Sequence, residues 1–155
     1  MRRYGDRPKS GQRYTRRPGA YAVVRRGNAA LMTIEANQFG TDIQIPGGGI
    51  DPGEHPVAAL HREVMEETGW RVAIERRLGT YQRYCYMPEY DLWAHKICNV
   101  FLCSPVRQIS APLEATHTAF WAPLSDIADL ITNDADSGFI RTRLHMLHRR
   151  LGQRI

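Results

Sequence analysis

Three glutamates between Gly48 and Trp70 stand at spacings that suit metal binding on a helix. The segment reads GGIDPGEHPVAALHREVMEETGW, and at about 100° per helical residue Glu63, Glu66 and Glu67 fall within one arc of roughly 100°. Like charges at these spacings repel by about 0.2–0.5 kcal/mol per pair, so the stripe is locally unfavourable. A hard divalent cation such as Mg²⁺ or Mn²⁺ facing the carboxylate oxygens reverses that effect. The spacing therefore predicts a divalent metal site.

Signals for the two ends of a helix place these glutamates on one element, from Pro56 to Thr68. Pro56 suits the first turn, where its missing N–H costs nothing, and Gly69 suits the left-handed position after the last turn. A run of three glycines, Gly47 to Gly49, precedes the helix. Because glycine has no side chain, such a run allows close backbone approach to a ligand or to a neighbouring strand.

The same segment resembles the signature of the Nudix hydrolases, G-x5-E-x7-R-E-U-x-E-E-x-G-U, in which U is a bulky aliphatic residue. The positions that match are Gly48, Glu54, Arg62, Glu63, Val64, Glu66, Glu67 and Gly69. The one departure is Trp70, where the family has Ile, Leu or Val. A large apolar group can still fill a core there, so the departure concerns local packing rather than chemistry. The size and layout of the flanking sequence extend the resemblance to about residues 19–135.

The resemblance implies an enzyme that uses Mg²⁺, with Mn²⁺ as the alternative, to hydrolyse phosphoanhydride bonds. It implies that Glu63, Glu66 and Glu67 bind the metal, together with the backbone carbonyl of Gly47. Many relatives add an acid from farther along the chain. The candidates for that position are Glu114, ahead of Glu89 and Asp91, with His117 as an alternative.

The resemblance also implies which residues serve catalysis. Glu63 or a neighbouring acid is the general base. Arg62 is expected to hold the loop and the helical carboxylates in place through a bidentate pair with an acid such as Glu54. Catalysis is therefore assigned to Glu63, with Arg62 and Glu54 aligning the site.

Positive charge is concentrated at the two ends of the chain. Residues 1–18 carry a net charge of +6 and residues 141–155 one of +5, whereas residues 19–140 carry −6, which gives +5 for the whole chain. The two ends are interpreted either as solvated termini or as arms that bind polyanions or RNA. The first interpretation is favoured because the N-terminal stretch lacks the aromatic spacing of a stacking platform. We expect a basic, flexible N-terminal arm over residues 1–18 and a single domain over residues 19–155.

Composition indicates one globular domain outside the membrane. The chain has 155 residues, of which 24% are charged and 43% hydrophobic, which is ordinary for a globular protein. No apolar run approaches the roughly 20 residues needed to span a bilayer, and the N-terminus lacks the apolar core of a signal peptide, so a cytoplasmic location is expected. The cysteines show no C-x-x-C spacing and are expected to be buried thiols. A homodimer is left open.

Strands and helices follow one another without a regular β-α-β repeat, which predicts an α+β domain. The predicted strands are 20–25, 29–34, 43–45, 72–86 in two pieces separated at Gly79, 92–103 and 116–122. Residues 35–42 are expected to form a loop. Two further helices are predicted over 126–131, with Ser125 as its cap, and over 139–151. The Nudix resemblance makes this more specific: a mixed, curved β-sheet between helices, in an α/β/α sandwich.

The predicted function is Mg²⁺-dependent cleavage of a phosphoanhydride bond in a nucleoside diphosphate linked to another group. Dinucleoside or inositol polyphosphates are the leading substrates, followed by modified nucleoside triphosphates such as oxidised dGTP, and then capped RNA ends. The rival is a non-catalytic Nudix domain that binds a nucleotide as a sensor. Such domains often lose the second half of the signature, which this chain retains from Arg62 to Glu67.

Overall fold

Eight strands and three α-helices make up residues 1–151, the part of the chain that the computed structural model describes. The strands are β1 (Arg2–Arg3), β2 (Thr15–Arg26), β3 (Ala29–Asn37), β4 (Gly40–Gln44), β5 (Gly47–Gly49), β6 (Trp70–Met87), β7 (Leu92–Gln108) and β8 (His117–Pro123). The helices are α1 (Pro56–Thr68), α2 (Ile127–Leu130) and α3 (Asp134–Leu151). Residues 152–155, which end both the predicted domain and the basic C-terminal stretch, lie outside the described part.

The strands form one mixed sheet in the order β1-β6-β7-β2-β3-β4, with β5 paired to β2 and β8 paired to β3. The β2–β7 and β1–β6 pairs are parallel, and the others are antiparallel. The parallel β2–β7 pair runs for ten residues, from Thr15 opposite Ala94 to Val24 opposite Cys103. This long central pair carries β5 and the edge strands.

Helices cover both faces of the sheet. Successive side chains of a strand point to opposite faces, and along β2 Ala20 and Val24 pack with Leu60 and Val64 of α1. The side chain of Val23, on the same strand, lies on the opposite face and packs with residues of α2 and α3. Leu60 and Val64 are fully buried, and burial of each such side chain contributes about 1.5–3 kcal/mol. The prediction of an α+β domain with a mixed sheet between helices is therefore confirmed.

Helix α1 has the predicted bounds, Pro56–Thr68. His55 precedes it as the N-cap, and its Nδ1 accepts a hydrogen bond from the Val57 N–H at 3.1 Å. At the other end Gly69 has φ of 74°, and its N–H donates to the Met65 carbonyl at 2.9 Å. The two ends of the helix are thus fixed by local hydrogen bonds, which keeps its acidic face in a defined orientation.

Strand β6 differs from its prediction, because it is continuous from Trp70 to Met87 rather than in two pieces. The register between β6 and β7 shifts between Arg77 and Gly79. Gly79 therefore marks a β-bulge, which bends a strand without ending it.

The segment 35–42, predicted as a loop, is mostly a hairpin. Residues Glu35–Asn37 of β3 pair with Gly40–Asp42 of β4. The polar side chains at this end of the hairpin are exposed or half-buried, so they give no hydrophobic alternation from which a strand could be predicted.

The C-terminal helices also begin at different residues than predicted. Helix α3 begins at Asp134 rather than at 139, because the Asn133 side chain caps it by accepting hydrogen bonds from the Ala135 and Asp136 N–H groups at 3.0 and 3.1 Å. Ser125 does not cap a helix; it lies in a 3₁₀ turn, Leu124–Asp126, that precedes α2.

Both ends of segment 1–18, for which a flexible arm is expected, form strands of the sheet. Strand β1 pairs with β6, and the Tyr4 N–H donates to the Gln82 carbonyl at 3.0 Å. The Tyr4 ring packs edge-on against Tyr81 and Phe139, with centroids 5.5 and 5.8 Å away. Strand β2 already begins at Thr15. The segment therefore lies against the sheet, anchored by an aromatic residue among its arginines.

No helix within residues 1–151 is both long enough and apolar enough to cross a membrane.

Candidate active site

The glycine run forms strand β5, and its lack of side chains makes room for α1. A Cβ added at Gly48 would lie 2.6 Å from Cδ and Oε2 of Glu63, and one added at Gly47 would lie 2.3 Å from the Ala20 carbonyl oxygen. Gly47 also has φ of 149°, which side chains rarely adopt. The run thus allows the Glu63 carboxyl group to lie directly on the backbone of β5.

Arg62 connects the loop after β5 to the carboxylates of α1. Its Nε and Nη2 donate to the two carboxylate oxygens of Glu54, each at 2.9 Å, which is the bidentate pair that the resemblance implies. Nη2 also donates to the Gly49 carbonyl at 2.9 Å, and Nη1 donates to Oε1 of Glu63 at 2.8 Å. These hydrogen bonds lower the pKa of Glu54 to about 2, with help from the Asp51 N–H.

Glu63 is enclosed, and its side chain is only 14% exposed. Burial raises the pKa of Glu63 to about 7 although Arg62 opposes the shift, and the neighbouring Glu67 and Glu66 carboxylates raise it further. A carboxylate held in this way is destabilised when ionised, and a cation would relieve it. Glu66 is more open: one-third of its side chain is exposed, and Arg62 Nη1 lies 3.4 Å from its Oε2.

Glu67 is held from two sides. Its Oε2 accepts a hydrogen bond from the Gly47 N–H at 2.9 Å, and its Oε1 lies 3.3 Å from Nε2 of His117. Its side chain is 5% exposed, and burial raises its pKa. His117 Nδ1 in turn lies 2.9 Å from Oε2 of Glu114, and Nε2 lies 3.9 Å from Glu35. The nearby Glu67 carboxylate raises the pKa of His117.

Strand β8 thus brings His117 to the site, and Glu114 approaches it through His117. The sequence suggested these two residues as alternatives, and in the structure their side chains lie in contact. Glu35 was not predicted, because a lone acid in a polar stretch gives no indication that β3 and β8 pair at this point. Of the other candidate acids, Glu89 lines the cavity described next, whereas Asp91 accepts a hydrogen bond from the Tyr86 hydroxyl.

A cavity of about 520 Å³ lies beside these residues. Glu63, Glu67, Glu114 and His117 line one end of it, which we call the acidic end. Gly47 to Gly49 form the adjoining wall, and residues of β2, the β3–β4 hairpin, β6 and the turn after it, β7 and the start of α3 complete the lining. The volume suits a nucleotide-sized ligand.

The donors at the acidic end have the chemistry that a hard divalent cation requires. Glu63 and Glu67 line the cavity, and Glu66 lies on the same side of α1 without lining it; burial beside like charges raises the pKa of Glu63. Within residues 1–151 no three acidic, histidine or cysteine side chains are yet grouped as a metal cage. The reason is visible in the contacts: Arg62 holds Glu63 and Glu66, while Gly47 and His117 hold Glu67.

Comparison with known proteins decides the family. The model of the NUDIX domain matches residues 15–142, which is most of the chain. The chain belongs to the Nudix family.

Two relatives of the chain are named as a diphosphatase and as a hydrolase. A Bacillus subtilis protein named "Putative 8-oxo-dGTP diphosphatase" is 32% identical over 75 residues, covering 48% of this chain and 50% of that protein. A Streptomyces rubellomurinus protein named CMP-5'-(N-acetyl-N-hydroxy-3-aminopropyl)phosphonate hydrolase is 30% identical over 124 residues, covering 76% of this chain and 57% of that protein. The chain therefore spans little more than half the length of these relatives.

Solved structures share the fold at low identity. A NUDIX hydrolase from Nitrosomonas europaea superposes with a TM-score of 0.69 at 20% identity, covering 85% of this chain and 90% of that one. The MutT protein from Methanosarcina mazei Go1 has a TM-score of 0.68 at 21% identity, covering 86% and 96%. These likenesses confirm the Nudix fold.

In this fold Trp70 takes the aliphatic position of the signature. Its ring is half-buried and packs edge-on against Trp121, with ring centroids 5.6 Å apart.

Proposed function

We propose that this Nudix protein is a Mg²⁺-dependent pyrophosphohydrolase that cleaves a phosphoanhydride bond in a nucleoside diphosphate linked to another group. The observation that carries the proposal is the acidic end of the cavity. There Glu63 and Glu67 lie against the glycine strand. Arg62 donates a hydrogen bond to Glu63, and His117 contacts Glu67. Glu63, Glu66, Glu67 and the Gly47 carbonyl are the proposed metal ligands, with Glu114 as a further acid reached through His117. Mn²⁺ is the alternative ion.

The bound metal would neutralise phosphate oxygens and lower the pKa of a coordinated water. Arg62 keeps the Glu63 carboxyl group in position, since its Nη1 donates to Oε1 while Oε2 lies against Gly48 in the wall of the cavity. Glu63 is the proposed base, accepting a proton from the attacking water at Oε2 as the phosphorus–oxygen bond to the leaving group breaks. Without a cation, burial raises its pKa to about 7; a bound cation would lower that pKa and keep Glu63 ionised, and so able to accept a proton, at neutral pH. Glu67 is the neighbouring acid that remains as the alternative base.

Nucleotides are the proposed substrate class. The names of the two curated relatives both specify a nucleotide: oxidised dGTP in one, and CMP joined to a phosphonate in the other. These names favour modified nucleoside triphosphates and nucleoside phosphates joined to a second anionic group over the inositol polyphosphates that the sequence left open.

RNA binding through free basic arms has less support in the structure. Three of these cations lie over aromatic rings. The distances to the ring centres are 5.2 Å for Arg2 over Tyr4, 4.5 Å for Lys9 over Trp93 and 4.7 Å for Arg17 over Tyr90. These cations are thus partly engaged with aromatic residues. Capped RNA ends therefore come last among the substrates to test.

A screen of phosphate and pyrophosphate release tests the proposal. The protein is incubated with Mg²⁺ and with oxidised and ordinary nucleoside triphosphates, dinucleoside polyphosphates, CMP-linked phosphonates and capped RNA, and products are identified by mass. We expect Mg²⁺-dependent turnover of at least one nucleotide class, abolished by EDTA. Tight nucleotide binding with no turnover under any of these conditions would instead favour the sensor domain.

A further inference from the structure

Lys96 lies at the end of the cavity formed by β6 and β7, on the other face of the sheet from α1. Alternate residues of β7 share a face, and Cys98 and Val100, which follow Lys96 on that face, pack in the cluster with α2 and α3. Lys96 lines the same cavity as Glu63. We call Lys96 and its neighbour Arg83 the basic end of the cavity.

The charges at the basic end are not balanced by protein groups. Arg83 Nε lies 3.0 Å from Oδ1 of Asp136, and these side chains are 11% and 17% exposed. The Tyr81 hydroxyl donates to the same carboxylate oxygen. Among the described residues, no carboxylate lies within 4.0 Å of the Lys96 ammonium group. Lys96 and Arg83 thus have one carboxylate, Asp136, near them, which leaves a local surplus of positive charge at the basic end, although acidic residues outnumber basic ones over the whole cavity lining.

The positive charge of Lys96 is enclosed by protein on the sides away from the cavity. Lys96 is surrounded by protein apart from its opening to the cavity, and burial by itself lowers its pKa. The acidic groups of Tyr21, Cys98 and Asp136 outweigh burial and the repulsion of Arg83, so that the net pKa of Lys96 is raised. A protonated amine enclosed in this way has strong electrostatic interactions with any anion that enters the cavity.

One aromatic ring connects the two ends. The Lys96 Nζ lies 5.7 Å from the centre of the Tyr21 ring. A Cβ added at Gly47 would lie 2.7 Å from Cδ1 of that ring, and one added at Gly19 would lie 2.8 Å from Cε2. The ring therefore rests on the glycine strand against which Glu63 also packs. Tyr21 thus links the glycine strand at the acidic end to Lys96 at the basic end along the lining of one cavity.

We propose that Lys96, with Arg83 beside it, binds a phosphate group of the substrate that is not held by the metal-binding carboxylates. The nature of the substrate rests on the proposed function, whereas the anion site itself depends only on the geometry of the basic end. Lysine suits this role because its three N–H donors and compact charge match a phosphate without requiring a fixed orientation. A substrate with two separated anionic groups would thus be bound at both ends of the cavity.

Binding of inorganic pyrophosphate to the metal-free protein in EDTA, measured by titration calorimetry, tests the anion site directly. Replacement of Lys96→Met removes the charge but keeps an unbranched side chain, and Lys96→Arg restores a cation. The control is Lys9→Met, at the chain's other lysine, which is exposed. We expect the Kd to rise at least about tenfold in Lys96→Met, with partial recovery in Lys96→Arg and no change in Lys9→Met. Equal affinity of the wild type and Lys96→Met would overturn the proposal.

Kinetics with the best substrate of the screen provide the second readout. Lys96→Met is expected to raise KM at least about tenfold and to change kcat less than about threefold, because the residue binds a group remote from the broken bond. A fall in kcat at unchanged KM would overturn this role. The calorimetric result does not require turnover, so an inactive wild-type protein would refute the proposed function and leave the anion site to be judged by pyrophosphate binding.

Discussion

The two ends of the cavity differ in how completely their charges are matched. At the acidic end Glu63 has Arg62 as its partner, and Glu67 has the Gly47 N–H and His117. At the basic end Asp136 forms an ion pair with Arg83, while Lys96 has no carboxylate beside it in the described part of the chain. At the acidic end each of these carboxylates is held by a nearby donor although carboxylates outnumber cations, whereas at the basic end Lys96 has no such partner.

The two ends therefore represent two kinds of binding site: one in which hydrogen bonds orient the side chains before a ligand binds, and one in which a cation lacks a carboxylate partner until an anion binds. Charge-assisted hydrogen bonds from Arg62 orient the carboxylates before a ligand arrives, so that less ordering remains to be done on binding. An unmatched cation is less restrained, and its interaction energy becomes available when an anion enters. Changes at the acidic end should therefore affect the reaction, and changes at the basic end should affect affinity.

The largest expected effect is that of Glu67→Gln. Glutamine retains a carbonyl oxygen for the Gly47 N–H but loses the charge that a metal requires, so we expect kcat to fall by about 10²–10³-fold or more. The midpoint of thermal unfolding should stay within about 3 °C of the wild type. Glu75→Gln, an exposed change on β6, is the matched control and should retain full activity. Full activity in Glu67→Gln would refute the assignment of the metal site.

Glu63→Gln is expected to change how stability depends on pH. The folded protein raises the pKa of Glu63 from 4.5 to about 7, so ionisation favours the unfolded state. In EDTA, wild-type stability should therefore fall relative to that of the variant as pH rises through the range from 4.5 to 7, by about 3 kcal/mol in all. Urea unfolding at a series of pH values measures this difference.

Addition of Mg²⁺ should reverse the order at pH 7.5, because a cation stabilises the ionised form of Glu63. The wild type is expected to gain more stability from Mg²⁺ than the variant does. Parallel pH profiles in EDTA, with equal gains from Mg²⁺, would show that Glu63 is neither enclosed nor near the ion.

Glu54→Gln tests whether the pairing of Arg62 orients the acidic end. Loss of the charged half of the bidentate pair should lower kcat by about tenfold, as for other groups that position ligands. The sign of its pH effect is opposite to that of Glu63: the folded state lowers the pKa of Glu54 from 4.5 to about 2. Its stabilising contribution is therefore present above pH 4.5 and disappears as pH falls to 2. The stability difference between the variant and the wild type should shrink over that range in acid unfolding.

Local sequence was enough to predict α1. Its ends depend on Pro56 and Gly69, and its acidic face follows from helical periodicity, so no information about distant residues was needed. Arg62 and Glu54 are eight residues apart, which also made their pairing accessible through the signature. The acidic helix and its loop were therefore predictable before the sheet was known.

Contacts between distant segments were not predictable in the same way. Glu35 approaches His117 only because β3 pairs with β8, and Lys96 meets Arg83 only because β6 pairs with β7. Tyr4 was counted with a basic tail, since charge dominates that segment, although its ring is part of the core cluster against α3. Sequence periodicity gives the face of one strand, but it does not specify which strand lies beside it.

Thiol reactivity gives the smallest effect and tests how closed the basic end is. Cys98 lies on the same face of β7 as Lys96 and is buried, as is Cys103, whereas Cys85 is half-buried and lines the cavity. Burial raises the pKa of Cys98, and it raises that of Cys103 to about 12, so neither thiol should react with iodoacetamide at pH 8. Mass spectrometry should find label on Cys85 first, more slowly with pyrophosphate bound, and on all three after unfolding in guanidinium. Labelling of Cys98 as fast as Cys85 would mean that water reaches the sheet beside Lys96. Its charge would then be screened, and the contrast between the two ends would disappear.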